Sequence, residues 1–379
     1  MVRLVSMLAV FALASALGQA YAQDLPAEVT DPYIAYTEAL EAGDLDAARE
    51  AARQAWRAGE RLKIDLQTVG VLADNFAQLA LQAGEHGAAR SAFERSAEVQ
   101  TAQGGDRVLL AETWLLAARA ARSGGDPRDA ADLAERGAEI AEAAEGLAAR
   151  GVAFEARQFQ ALALLDLGRS RAAIRAAEQA VDHLPDDGPY PGSAWPAAFI
   201  SGFGASLDRD TLEAAYWMSV THRLLLEHQP EHPDVLRTRY WTRWARQNLE
   251  EGEGAALLAR LAERGLLPPE GTDSARLTAS EAAAEDALNR DARPLRRTPP
   301  EYPGDAARAG LEGFALLTFD VAPDGTTQNV RVIASVPHPV FGERSARSVR
   351  RWRYEPRLVD GEPALREGVI TEFNFSLEG

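Results

Sequence analysis

The chain has 379 residues, no cysteine and a formal net charge of −17, with 57 Asp and Glu set against 40 Lys and Arg, and Lys63 as its one lysine. This balance argues against nucleic acid as a partner, because duplex affinity is dominated by phosphate neutralisation, and it disfavours an anionic membrane surface for the same reason. Without cysteine there are no disulfides, so the fold must rest on core burial, which a chain of this length can supply.

At the N-terminus Arg3 precedes an apolar run from Leu4 to Leu17, and Ala20-Tyr21-Ala22 forms a small-x-small site before Gln23. The run is shorter than the ~20 residues of a spanning helix, so residues 1–22 read as a secretory signal peptide. Export to the periplasm is the expected location. If the segment stays uncleaved, the alternative is an inner-membrane anchor with the chain facing the periplasm.

A helical array is expected over 30–184. Gly43, Gly84, Gly125 and Gly168 recur at intervals of 41, 41 and 43 residues. Five residues after each stands an alanine: Ala48, Ala89, Ala130 and Ala173. Offsets of nine (Ala52, Phe93, Ala134, Ala177) and twelve (Ala55, Ser96, Gly137, Ala180) complete a mostly small-residue column. Those offsets share one helix face, where small side chains let a neighbouring helix approach closely. The pattern resembles tetratricopeptide repeats, with helices or connections longer than in the usual 34-residue unit. HEAT-like repeats rival it in length, but the glycine turn followed by small-residue columns favours the tetratricopeptide reading. Stacked repeats imply a solenoid with a concave surface for a peptide or protein.

Residues 185–292 read as a further helical region continuing the solenoid without its period. Helices are expected over 211–226, 233–249, 255–264 and 278–290, the last opened by Thr278 and Glu281 at capping-box spacing. The aromatic stretch 195–244, with Trp195, Trp217, Tyr240, Trp241 and Trp244, has two readings, a ligand surface for carbohydrate or catalysis and packing between helices; helical spacing favours packing. Residues 293–300 then form a short basic, proline-bearing linker.

No phosphate-binding loop, Gly-x-Ser-x-Gly elbow or Ser-x-x-Lys pair is present, so no enzyme and no cofactor is expected. His222, His228 and His232 fall within eleven residues. Pro230 and Pro233 interrupt the helix that would align them, and no metal site is expected.

Residues 301–379 form a module of helix, two strands, helix and strand. Pro303 suits the start of the first helix and Gly310 its end. Ala315, Leu317, Phe319 and Val321 alternate on one strand and Val330, Val332 and Ala334 on the next, joined by Pro323-Asp324-Gly325. Phe341, Ala346 and Val349 mark a helix, and Val369 to Leu377 a last strand. A three-stranded antiparallel sheet with two helices on one face would bury these stripes. The fold class is therefore multidomain: an all-α solenoid followed by a small α+β domain.

The same residues resemble the C-terminal domain of TonB-family proteins. Tyr302-Pro303, Ala306, Gly310 and Gly313, the Asp324-Gly325 hairpin, Trp352-Arg353-Tyr354-Glu355-Pro356 and the closing strand stand in that family's order. The resemblance implies capture of an extended peptide by strand addition. Carried over, the edge is Val369, Ile370, Thr371, Glu372, Phe373, Asn374 and Phe375, and the opening motif is Tyr302 and Pro303. It also implies an outer-membrane TonB-dependent transporter as partner and energy transduction as a role. Transducers, however, carry a spanning helix with a histidine and a Pro-rich spacer, and here a short segment without histidine and a helical array stand in their places. The expected function is accordingly a periplasmic adaptor, with an anchored transducer of transport across the outer membrane as the alternative. Arg344, Arg347, Arg350 and Arg351 make a local basic patch, or simply a solvated helix face.

Overall fold

A computed structural model of the chain describes residues 25–185, 189–208, 210–232, 234–247, 249–266, 292–308, 313–336, 339–359 and 361–375. The signal segment, the helix expected over 278–290, Gly310 and Leu377 lie outside them. The chain divides into two compact units, one ending at Leu184 and the other beginning at Pro185.

The first unit is a run of helical hairpins: α1 (Ala27–Ala42), α2 (Leu45–Leu62), α3 (Leu66–Gln82), α4 (His86–Gln103), α5 (Arg107–Ser123), α6 (Pro127–Glu142), α7 (Leu147–Asp166) and α8 (Ser170–Asp182). Each of the four periodic glycines has a left-handed φ, between 70° and 84°. At each, the glycine N–H donates three residues back and the next N–H five residues back, as in Asp44 to the Ala39 carbonyl and Arg169 to the Leu164 carbonyl. This pair of hydrogen bonds closes the helix end, and only glycine takes the turn without a Cβ penalty. The small-residue columns are buried, with Ala48, Phe93, Ala134 and Ala177 fully so. Helices α3 and α4, of 17 and 18 residues, show that the excess over a 34-residue repeat lies in the helices rather than the connections. Successive units are also tied by ions: Glu85 takes Arg49 at 3.0 Å and Arg53 at 2.6 Å, and 41 residues on Arg90 takes Asp129 at 2.6 Å.

The second unit opens with a 3₁₀ turn (Gly192–Ala194) and helices α9 (Trp195–Asp208), α10 (Thr211–His228), α11 (Asp234–Gln247) and α12 (Glu253–Glu263). There follow β1 (Pro294–Arg296), α13 (Gly304–Arg308), β2 (Gly313–Val321), β3 (Thr327–Val336), α14 (Pro339–Val349), β4 (Arg353–Tyr354), β5 (Arg357–Val359), β6 (Glu362–Ala364) and β7 (Arg366–Phe375). The main sheet is antiparallel in the order β3-β2-β7, flanked by the two-stranded pairs β1-β4 and β5-β6.

Three expectations change here. Helices α9–α12 group with the sheet rather than with the repeats, and Met218 and Trp241 pack against Phe314 and Leu316 of β2. The sheet is covered on both faces rather than one. Ala315, Leu317, Phe319 and Val321 face α13 and α14 in one core, whereas Phe314 and Leu316 face Met218 and Trp241, with Phe199, Phe203, Ile333 and Ile370 packed around them. The segment 293–300 is not a loose linker: β1 pairs with β4, and the Glu355 N–H donates to the Arg293 carbonyl at 2.8 Å.

Candidate peptide-docking edge

The sheet is set by its first hairpin. Asp324 Oδ1 accepts from the Thr326 N–H at 2.9 Å, and Gly325 turns with φ 80°. A Cβ on Gly325 would lie 2.3 Å from the Tyr354 carbonyl oxygen, and the Tyr354 N–H donates to the Gly325 carbonyl at 2.9 Å. Glycine is thus needed both for the φ and for the close approach of β4. The aromatic turn then holds the segment before the module. Trp352 Nε1 donates to the Thr298 carbonyl at 2.8 Å, and the Arg297 guanidinium lies over Trp352 while donating to Tyr354 Oη at 2.7 Å. Burial raises the Tyr354 hydroxyl above its ordinary pKa, against the opposing pull of Arg297, so it stays a neutral acceptor.

The two outer strands of the sheet differ. On β3 the pairing with β2 slips twice, between Leu316 and Leu317 and again between Thr318 and Asp320. Ile333 is the extra residue at the first slip, and Arg237 Nε of α11 donates to its carbonyl at 2.8 Å. Asn329, with φ 51°, lies in the second. Bulges and a side chain seated on the backbone blunt an edge against further pairing. On β7 the pairing slips once, beside Gly368 with φ 74°, and then runs in register from Val369 opposite Phe319 to Phe375 opposite Gly313. Asp320 stands where both neighbours slip: its carboxylate accepts from Asn329 Nδ2 at 2.7 Å and from the Gly368 N–H at 3.0 Å. Among the described residues, β7 has a strand on one side only.

Side chains alternate along β7. Val369, Phe373 and Phe375 join the core under α14, with the Phe373 ring 5.5 Å from Trp352. Ile370 joins the core under α9–α11. Thr371 shares the first face and Glu372 and Asn374 the second; Asn374 Nδ2 donates to Glu372 Oε1 at 3.2 Å. The opening motif meets the end of this strand, since the Tyr302 ring stands edge-on to Phe375 at 5.7 Å, and Pro303 is buried beside it in sequence. The structure therefore brings Tyr302 and the β7 residues together. The arginines lie elsewhere, on α14 and its exit. Arg344 approaches Glu301 at 3.7 Å, Arg347 donates to the Glu343 carbonyl, and Arg350 and Arg351 are exposed.

The other sequence candidates separate. Trp217 and Trp241 are buried, Trp241 with Phe199 and Phe203 edge-on at 5.5 and 5.7 Å, so these rings are packing. His222 bonds Thr238 at 3.2 Å, the His228 ring lies against Gly192, and His232 lies 4.7 Å from the Trp195 ring; the three do not converge. Burial, with Arg239 nearby, lowers the His222 pKa to about 4. Sequence reasoning missed Asp320, Arg237 and Arg297. Of these only Asp320 left a trace, as a carboxylate inside an otherwise apolar strand.

Residues 298–377 match the family described as the Gram-negative bacterial TonB protein C-terminal, and residues 68–143 match a tetratricopeptide repeat family. "Protein TonB" of Escherichia coli (strain K12) is 35% identical over 110 residues, 28% of this chain and 44% of that protein. "Protein TonB" of Pseudomonas aeruginosa is 34% identical over 88 residues, 23% of this chain and 25% of that one. The chain thus matches less than half the length of these relatives. Among solved structures, the Pseudomonas aeruginosa TonB CTD is 34% identical and covers 24% of this chain and 89% of its own, with a TM-score of 0.22. The MamA protein is 13% identical over 59% of this chain and 94% of its own, with a TM-score of 0.33. No helix among the described residues is long and apolar enough to cross a membrane. The chain carries a TonB C-terminal domain, preceded by a tetratricopeptide-like helical region.

Proposed function

We propose that this chain is a periplasmic adaptor that docks an extended protein segment by strand addition along β7, from Thr371 to Phe375, while its repeats hold a second protein. The difference between the two sheet edges carries the reading: β3 is broken by two bulges and carries Arg237 on its backbone, whereas β7 runs in register over its last seven residues. An in-register edge offers its outward N–H and C=O groups to an incoming strand. Kinship with "Protein TonB" makes a segment of an outer-membrane transporter the first partner to test. The repeats suit a protein partner because a solenoid presents an extended concave surface.

The test is a pair of proline substitutions at adjacent β7 positions, Thr371→Pro and Glu372→Pro. Neighbouring N–H groups on a strand point to opposite sides, so one proline removes an outward donor and the other breaks the ladder to β2. The variant that keeps the fold by circular dichroism is expected to lose capture of the transporter segment in a pull-down with outer-membrane extract. Undiminished capture by that variant would sink the reading. Mass spectrometry of the mature N-terminus separates adaptor from anchored transducer: a start at Gln23 supports the adaptor, and an intact leader supports the transducer.

A further inference from the structure

Strand addition by itself is indifferent to sequence, since it uses backbone groups. Selectivity must come from the side chains that flank the added strand, and here the two faces of β7 differ. On the face under α14, Thr371 and Phe373 are half-buried, and Phe373 continues into Trp352. On the face under α9–α11, Ile370 is half-buried and apolar, in the cluster that contains Trp241 and Met218. Two residues along that same face, Glu372 is half-buried with Asn374 as its hydrogen-bonding neighbour. Its carboxylate makes no ion pair among the described residues.

Residues directly opposite across a strand pair share a face with Cβ atoms about 4.5–5.5 Å apart, close enough for opposite charges to attract and like charges to repel. Resting on the strand-addition reading, we propose that the β7 edge selects an extended segment with a lysine or arginine opposite Glu372, flanked by apolar side chains opposite Ile370 and Phe373 and a β-branched one opposite Thr371. In parallel addition this reads, from the N-terminus of the ligand, apolar, β-branched, basic, apolar; in antiparallel addition the order reverses. The helical cover makes this requirement two-sided. Because α9–α11 bury the second sheet face as far as Ile370, a polar ligand residue there would be partly desolvated without a partner.

The test uses the full chain and a panel of fluorescent nine-residue peptides of valine and threonine, in which a single lysine or a single glutamate is walked along the sequence. Anisotropy reads affinity at low and at 0.5 M salt. On the wild type, one register position is expected to favour lysine over glutamate by about fivefold, falling towards unity at high salt. Glu372→Lys is expected to invert that preference at the same position, and Glu372→Gln to flatten it; both substitutions are at a half-exposed edge position, and circular dichroism checks their folds. An unchanged ranking in Glu372→Lys overturns the inference. Equal binding of all peptides overturns it too and leaves strand addition standing, while failure of every peptide to bind overturns both.

Discussion

The two outer strands of one small sheet teach more than the sheet as a whole. Both flank β2, both have an apolar face in the α14 core, and both bend at Asp320. Yet β3 is occupied: α14 presses Gly342 against it so closely that a Cβ there would meet Val332 Cγ1 at 2.7 Å, and Arg237 takes its Ile333 carbonyl. β7 has neither constraint over its last residues. The helices before the module cover the second sheet face, and one of them seats Arg237 on the β3 edge.

The largest expected loss comes from removing that cover's anchor. Trp241 is 3% exposed, lies edge-on to Phe199 and Phe203, and donates from Nε1 to Ser206 Oγ at 3.2 Å. Trp241→Ala is expected to cost about 3–5 kcal/mol and to raise hydrogen exchange at β2 amides, whose residues Phe314 and Leu316 would lose their contact. Protection unchanged at β2 would mean that the sheet does not depend on its second face.

Next comes the turn. Gly325→Ala forces a side chain into φ 80° and against the Tyr354 carbonyl, at a cost of about 3 kcal/mol. Urea unfolding measures it. The loss is expected to loosen β4 and, with it, the Trp352 and Arg297 contacts that hold residues 297–298.

A pH experiment probes the helical cover alone. His222 is held neutral by burial, with a folded pKa lowered to about 4 against about 6.5 unfolded. Between those values the unfolded chain binds the extra proton, so stability is full above about pH 6.5 and declines as pH falls towards 4. The shift corresponds to about 3 kcal/mol across the window. His222→Asn is expected to flatten that part of the profile relative to wild type; comparing the two cancels the carboxylates that titrate nearby.

How much of this was legible follows from what each element needs locally. The four glycine turns were readable because a left-handed helix end asks for one residue type at a fixed place, and the alanine columns because close helix packing asks for small ones. The hairpin at Asp324-Gly325 and the order of strands were readable for the same local reason, and the burial of Trp217 and Trp241 followed from helical spacing. The second sheet face was not. Phe314, Leu316, Ile333 and Ile370 are apolar, but alternation shows only that a strand has two faces, and nothing local says that a helix some 75 residues earlier covers the other one. Arg237 was hidden for a similar reason: its partner is a backbone carbonyl 96 positions away. The pairing of β1 left no local trace, because β1 is three exposed residues whose strand character comes from pairing with β4.

The smallest effect tests the contrast between the edges most directly. Arg237→Ala removes a charged donor from the Ile333 carbonyl, a half-buried contact worth about 1–2 kcal/mol, while its ion pair with Asp234 at 3.0 Å lies near the surface and adds little. If α11 blunts β3 through this bond, the variant's β3 carbonyl becomes available, and the binding stoichiometry of a strand-forming peptide rises from one per chain towards two. If the bulges at Ile333 and Asn329 suffice, stoichiometry stays at one and only stability falls. Calorimetric titration distinguishes the outcomes. The bulge at Asn329 keeps its tie to Asp320 in the variant, so a second site would place the blocking function on α11 at Ile333 rather than on that bulge.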